Sequence, residues 1–242
     1  MALKPMTDFS SRWFIPKELY MDNFKIAIGK GKILLAMKNS IIITICSVAL
    51  IVFLGAMAAY PLARIKSRFN VIVLNLVLAV MMVPPLSMLV PLYSNMAKWG
   101  GISTYWGIVV VITTFQLPLS IFLYTNFIAT IPKDLDEAAS IDGCRRISIY
   151  YRIILPLLKP VTATVVILTG VWVWNDYQFS LYFLQKPEMR TVTLAVSSFF
   201  SKNSSNLNGA AATALIAILP IVLIYIFMQR YFVQGMVDSA IK

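Results

Sequence analysis

The stretch Glu137-Ala138-Ala139-Ser140-Ile141-Asp142-Gly143, with Ile153-Ile154-Leu155-Pro156 beginning ten residues further on, is a polar island in a chain that is otherwise oil. Its pattern reads as two short helices bent at a glycine. Pro132 suits a first helical turn, and Asp134, Asp136 and Glu137 place negative charge at the positive end of that helix. Ala138, Ala139 and Ser140 supply a face with almost no side-chain bulk, and Asp142-Gly143 is a stop, because glycine tolerates the left-handed conformation that ends a helix. A second helical stretch from Cys144 is expected to end before Pro156, since the residue preceding a proline disfavours helix. Such a bend lets another protein's backbone approach closely, with Glu137 and Asp142 open to its basic groups. The plain alternative is a hairpin that only caps the helices around it.

The flanks decide the class. Of 242 residues, 59% are hydrophobic and only 13% charged, with mean hydropathy +0.79, whereas about a quarter of a soluble domain carries charge. Crossing a hydrocarbon core takes about 20 helical residues. Runs of that size extend over Ser40–Ala63, Val71–Met96, Tyr105–Ile128, Val161–Phe183 and Gly209–Met228. The expected fold is therefore an all-α polytopic membrane protein with five spans. Pro84-Pro85, Pro118 and Pro220 fall inside the second, third and fifth runs, where they mark either kinks beside a pathway or packing kinks with no role in transport.

Several chemistries drop out. Histidine is absent, which removes imidazole metal sites, Ser-His triads and histidine proton relays. Cys46 lies in an apolar run and Cys144 in a polar loop, so neither a disulfide nor a metal clip is expected. The net charge of +11 is scattered over loops without a basic aromatic face, which fits anionic lipid and topology rather than nucleic acid. No G-x-x-x-x-G-K-[ST] phosphate loop occurs, and no constellation of catalytic side chains stands on one face, so the chain reads as a non-enzyme without a cofactor of its own.

Placing the island in the cytoplasm puts ten basic residues (Arg64, Lys66, Arg68, Lys133, Arg145, Arg146, Arg152, Lys159, Arg230 and Lys242) in inner segments, against Lys98, Lys186, Arg190 and Lys202 outside. The island and the C-terminus are thus predicted to face the cytoplasm. Five spans then leave residues 1–38 outside, although they carry seven basic residues against Asp8, Glu18 and Asp22. Without a preceding span that placement opposes the same charge rule. Met1-Ala2-Leu3-Lys4-Pro5 holds no signal-peptide core, so the expectation is an extracytoplasmic segment over 1–38 that follows a first span encoded upstream, and a transmembrane domain over 39–242 with its cytoplasmic loop at 131–160.

Glu-Ala-Ala, Gly six residues after the Glu, then nine residues and Ile-x-Leu-Pro resembles the EAA loop of importer-type ABC transporter permeases, and every position of that spacing is met. Lys38-Asn39-Ser40, Ala59-Tyr60-Pro61-Leu62-Ala63-Arg64, Trp174-Asn175-Asp176-Tyr177 and Gln229-Arg230-Tyr231-Phe232-Val233-Gln234-Gly235 resemble the carbohydrate-uptake branch, its MalG-like partner in particular, from Trp13 onward. Two departures stand out. The family usually has six spans, and Leu3-Lys4-Pro5 resembles residues that follow the first. The tail reads Val237-Asp238-Ser239-Ala240-Ile241-Lys242 where relatives commonly end in Gly-x-Val-Lys-Gly.

The resemblance implies a bacterial cytoplasmic-membrane subunit that pairs with a second homologous permease around a translocation path. Two ATP-binding cassette subunits, which bind ATP and Mg, would seat the EAA loops, and an extracellular solute-binding protein would deliver a sugar. Coupling would fall to Glu137, Ala138, Ala139, Asp142, Gly143 and Pro156. An oligosaccharide is the expected cargo; polyols and glycerol phosphates are carried by relatives in the same way.

Polar residues within hydrocarbon are substrate-path candidates. Trp172, Trp174, Asn175, Asp176 and Tyr177 form the richest cluster, Asn175 lying roughly 21 Å along its span at about 1.5 Å per residue; Gln116 is nearer the middle of its own. An aromatic belt at the outer interface is the alternative. Asp176 is the only acidic residue in the five runs, so an ion-coupled secondary transporter would have to rest on it, leaving the island unexplained.

Overall fold

The computed structural model describes residues 1–5, 19–200 and 206–240, and within them every regular element is helical. Trp13, Lys202 and the last two residues lie outside the described residues, as do the side chains of Gln229–Gly235. A short helix α1 (Asp22–Gly29) leads into α2 (Ile33–Arg64), and α3 (Arg68–Met81) and α4 (Leu89–Lys98) follow. Next come α5 (Tyr105–Thr130), α6 (Asp134–Ile141), α7 (Arg146–Ile149) and the single turn α8 (Leu155–Leu157). The chain closes with α9 (Lys159–Trp174), α10 (Gln178–Phe183), α11 (Val192–Ser197) and α12 (Leu207–Ala240).

Among the described residues, α2 and α5 are each long and apolar enough to cross a membrane alone, and α12 contributes an apolar stretch at Leu207–Leu223. Two of the expected runs are not straight crossings. The run Val71–Met96 is broken: α3 ends at Met81, Pro84 is extended, and the following piece is turned by 96°. Two adjacent prolines withdraw two backbone donors, and the ring of Pro85 disfavours helix at Pro84. The run Val161–Phe183 likewise ends early, at Trp174, because Asn175–Tyr177 is non-helical and α10 starts afresh. Pro61, Pro118 and Pro220, by contrast, lie inside unbroken helices.

The centre of the bundle is α2 packed on α5. Close approach is possible because the facing residues are small: Gly55, Ala56 and Ala59 on α2 meet Ser120 and Tyr124 on α5, and Ser120 Oγ donates to Ile51 O at 3.1 Å. α9 lies against both, tied to α5 by Tyr124 Oη donating to Thr162 Oγ1 at 2.9 Å. One apolar cluster runs from Ile51 and Val165 through Tyr124 and Ile128 to Ala139, Ile149 and Ile154, so α6 and α7 are seated on the bundle rather than hanging from it.

The opposite end is closed by a polar knot. Asn39 Nδ2 donates to Glu188 O (2.8 Å) and Arg190 O (2.9 Å), while its Oδ1 accepts from Tyr105 Oη at 2.7 Å. Ser40 Oγ accepts from Val192 N at 3.0 Å. These are the Asn-Ser of the Lys38-Asn39-Ser40 motif, used here to satisfy loop backbone near membrane depth. Residues 1–4 sit at this end too: Asn208 Nδ2 and Asn23 Nδ2 donate to Lys4 O at 2.9 and 2.8 Å.

Candidate functional site

The helical hairpin α6–α8 follows the sequence reading at its acidic first turn and at its bend, but Pro132 falls outside that first turn. Asp134, Asp136 and Glu137 occupy the first turn of α6. Pro132 stands just ahead of the helix, whose N-cap is Lys133. At the other end Gly143 takes φ +79°, Cys144 N donates to Ala139 O at 3.0 Å and Gly143 N to Ser140 O at 3.1 Å. Those are the two bonds of a Schellman stop, which consume carbonyls the helix would otherwise leave bare. A Cβ at 143 would meet no atom beyond its chain neighbours within 4 Å, so the glycine is required by the backbone and not by crowding at that position.

The second arm departs from expectation. Helix does not end before Pro156. The backbone widens to a π-helix over Tyr150–Ile154, with Leu155 N donating to Tyr150 O, and continues through Leu157. Shifting the register by one residue just before the proline removes the demand for a donor where proline has none, which is how the turn survives. Arg146–Leu157 then meets α9 at a bend of 72°. Pro156 is exposed at that corner.

Of the six candidate coupling positions, Glu137, Ala138, Asp142, Gly143 and Pro156 are exposed, while Ala139 is 6% exposed and faces the bundle. The small-residue face is therefore split: Ala139 packs inward beside Ile149, and Ala138 and Ser140 look out. Around the bend two large apolar side chains have no cover from this chain, Ile141 at 87% and Ile147 at 73% exposure. An apolar pair this exposed, rimmed by Glu137, Asp142, Arg145 and Arg146, is the composition of an interaction surface.

Behind the hairpin lies a cleft of about 580 Å³ whose walls include Tyr60, Arg64, Asp136, Glu137, Arg146 and Tyr150. Tyr60 Oη donates to Asp136 Oδ1 at 2.8 Å. Arg64 Nη1 donates to Ile131 O at 2.9 Å, and its Nη2 lies 2.9 Å from Asp136 Oδ2 as an ion pair without hydrogen-bond alignment. Sequence reading quoted Tyr60 and Arg64 only as part of a motif and did not join them to Asp136. The available signal was a Tyr and an Arg one helical turn apart at the end of a span, opposite an acidic turn.

At the far end, Trp174, Asn175, Asp176 and Tyr177 diverge. Trp174 is 5% exposed and its Nε1 donates to Ala217 O of α12 at 3.2 Å. Asp176 is buried and accepts from Phe179 N (3.2 Å), Ser180 N (2.8 Å) and Ser180 Oγ (2.8 Å). It caps α10 and spends its oxygens there, a local duty that accounts for an acidic residue at this depth. Asn175 and Tyr177 are exposed and share a shallow cleft of about 550 Å³ with Trp172 and Gln178. Gln116 is buried on α5 and lines neither cleft beside Asn175. Among the described residues no group of three or more Cys, Asp or Glu could hold a metal ion.

Comparison with known proteins adds the following. The family described as binding-protein-dependent transport system inner membrane component matches residues 51–238. The melibiose/raffinose/stachyose import permease protein MelC of Bacillus subtilis (strain 168) is 41% identical over 242 residues, covering 100% of this chain and 88% of that protein. The probable starch degradation products transport system permease protein AmyC of Thermoanaerobacterium thermosulfurigenes is 37% identical, with 97% and 85% covered. The multiple sugar-binding transport system permease protein MsmG of Streptococcus mutans serotype c (strain ATCC 700610 / UA159) is 32% identical, with 100% and 88% covered. In solved structures the fold recurs in a bacterial ABC transporter involved in the import of the acidic polysaccharide alginate (TM-score 0.80, 19% identity, 92% of this chain and 83% of that one). It recurs also in the inward-facing MetNI methionine ABC transporter (TM-score 0.68, 15% identity, 83% and 94%).

Proposed function

The chain belongs to the family of binding-protein-dependent transport system inner membrane components, and from that premise we propose that it is the permease that carries an oligosaccharide across a bacterial cytoplasmic membrane. It is a membrane-embedded transport subunit. A second homologous permease completes the path, two ATP-binding cassette subunits supply ATP and Mg chemistry, and an extracellular solute-binding protein delivers the sugar. The oligosaccharide reading is supported by relatives named for melibiose, raffinose and stachyose, for starch degradation products and for multiple sugars.

The hairpin is the lever, and it and the C-terminus face the cytoplasm. The observation that carries the lever reading is the exposed face at the bend, held by Gly143 at φ +79°, with Ile141 and Ile147 left uncovered beside it. Glu137, Ala138, Asp142, Gly143 and Pro156 present that face, and Ala139 holds it on the bundle. When ATP draws the two motor subunits together, a rigid bend seated against each transmits the motion to α5 and α9, which end and begin within a few residues of the hairpin.

The test uses the reconstituted complex. Gly143→Asp or Glu137→Lys is expected to abolish uptake of raffinose or a malto-oligosaccharide, and sugar-stimulated ATP hydrolysis with it, while the binding protein still binds its sugar. Sugar-stimulated hydrolysis at the normal rate in both variants overturns the coupling role.

A further inference from the structure

Tyr60 and Arg64 stand one turn apart on α2 and hold both arms of the hairpin at once. On the first arm, Asp136 receives the Tyr60 hydroxyl at 2.8 Å and the Arg64 ion pair at 2.9 Å. Arg64 also donates to Ile131 O, at the junction between α5 and the hairpin, at 2.9 Å. On the second arm, the Tyr60 ring packs on Tyr150, with centroids 5.4 Å apart and planes tilted by 43°. The Arg64 and Asp136 side chains are 8% and 17% exposed, so water screens the pair little. Asp136 lies 76 positions from Tyr60 in the chain. The hairpin is joined covalently to α5 and α9 but not to α2.

The other residues that α2 and the hairpin place in one cluster are apolar. Ala56, Ala59, Ala139 and Ile149 offer apolar surface without directional bonds, and such surface resists separation more than it resists sliding. The end of α2 is in turn made stiff. Asn70 Nδ2 donates to Pro61 O (3.0 Å) and Ile65 O (2.8 Å), tying the last turn of α2 to the start of α3. Directional bonds from a braced helix end to the first arm, with a ring contact to the second, are what a fixed joint requires.

We infer that Tyr60, Arg64 and Asp136 form a latch that makes α2 follow the hairpin, so that the core helix of the bundle moves with the motor. All three are positioning residues: they touch neither sugar nor nucleotide. The inference rests on the proposed coupling role of the hairpin. Loss of the latch loosens the tie between hydrolysis and transport, because α5 and α9 are still driven by the hairpin while the end of α2 follows only through its packing on α5. A purely structural role would lower hydrolysis and import together and leave their ratio unchanged.

The experiment is a comparison of Asp136→Asn, Arg64→Gln, Arg64→Lys, Tyr60→Phe and Gly143→Asp in the reconstituted complex. It reads sugar imported per ATP hydrolysed. In a Cys46→Ser background, it also reads the distance between nitroxides at Cys144 and at a cysteine replacing Phe53, with and without trapped nucleotide. The latch predicts a fall of about tenfold in the ratio for Asp136→Asn and Arg64→Gln, partial recovery with Arg64→Lys, and a label distance that changes on nucleotide trapping only in the variants. Should the charge variants fail to assemble, Tyr60→Phe decides: it keeps the ring contact, and a lowered ratio upholds the latch whereas a normal one overturns it. Loss of uptake in Gly143→Asp with normal ratio and unchanged label distance in the others removes the latch and leaves the hairpin's role standing. Normal uptake in Gly143→Asp removes both.

Discussion

The Cβ that Gly55 lacks would fall on the side chain of Ser120, so α2 and α5 approach as closely as a glycine facing a serine allows. Without water to drive association, helices in lipid hold together through such close packing. Gly55→Leu is therefore expected to cost about 1–3 kcal/mol or more by overpacking, read as a lower unfolding temperature in detergent and a smaller membrane-inserted yield. Gly55→Ala should do the same more mildly. Adding Ser120→Gly to Gly55→Ala clears the clash while giving up the bond to Ile51 O, worth about 1 kcal/mol. The double variant is expected to be more stable than Gly55→Ala alone; equal or lower stability would show that the two helices can move apart at no cost.

At Gly143 space and backbone separate cleanly. Nothing beyond the neighbouring residues lies within 4 Å of a Cβ added there, yet φ is +79°. A left-handed residue with a Cβ costs about 1–2 kcal/mol, and asparagine bears it better than most. In the isolated subunit the order of stability should be Gly, then Asn, then Ala, then Val. In the assembled complex Gly143→Asn should lose far more transport than its small loss of stability explains, because a partner seated on the bend would meet the new side chain. Transport that tracks stability along the whole series would mean the bend touches no partner.

How much of this was readable beforehand differs from one element to another. The five apolar runs and the bend at Gly143 follow from local rules, since hydropathy and a helix stop are properties of neighbouring residues. What escaped depends on pairings across the chain. Pro84-Pro85 announces a break, but local rules do not give the 96° turn that follows it. Pro156 looked like the end of a helix because sequence rules assume α-helical register, and a π-turn over Tyr150–Ile154 evades them. Ala139 read as part of an open face because its smallness is compatible with either side. Among the candidate path residues, proximity in sequence does not give a common direction: Trp174 is buried against α12 and Asp176 caps α10, while Asn175 and Tyr177 stay exposed beside Trp172.

Asp176 provides a test that separates two kinds of transporter. Its oxygens are committed to Phe179 N, Ser180 N and Ser180 Oγ. Asp176→Ala should cost about 1 kcal/mol, the usual worth of a helix cap, and lower the yield of folded protein modestly. Asp176→Asn keeps one accepting oxygen and should lie between. In neither case, nor in the wild-type complex, should a protonophore stop uptake while ATP is held constant. Collapse of uptake under those conditions would make Asp176 an ion-coupling group after all.

Trp174 and Asn175 are adjacent, and their variants should fail in different ways. Trp174 fills the contact between α9 and α12, so Trp174→Ala opens a cavity at a cost of about 3–5 kcal/mol and should reduce the amount of stable subunit without altering which sugars compete for uptake. Asn175 is exposed, with its Nδ2 donating only to Val171 O at 2.8 Å, one turn back on its own helix. Asn175→Ala removes a polar group that is free to reorient toward a passing hydroxyl, and should leave the folding stability within about 0.5 kcal/mol of wild type while weakening import or shifting preference among raffinose, melibiose and malto-oligosaccharides. Competition assays on equal amounts of assembled complex measure this directly. If affinity, rate and preference all stay the same, Asn175 is a helix terminator and the sugar takes a route along other residues.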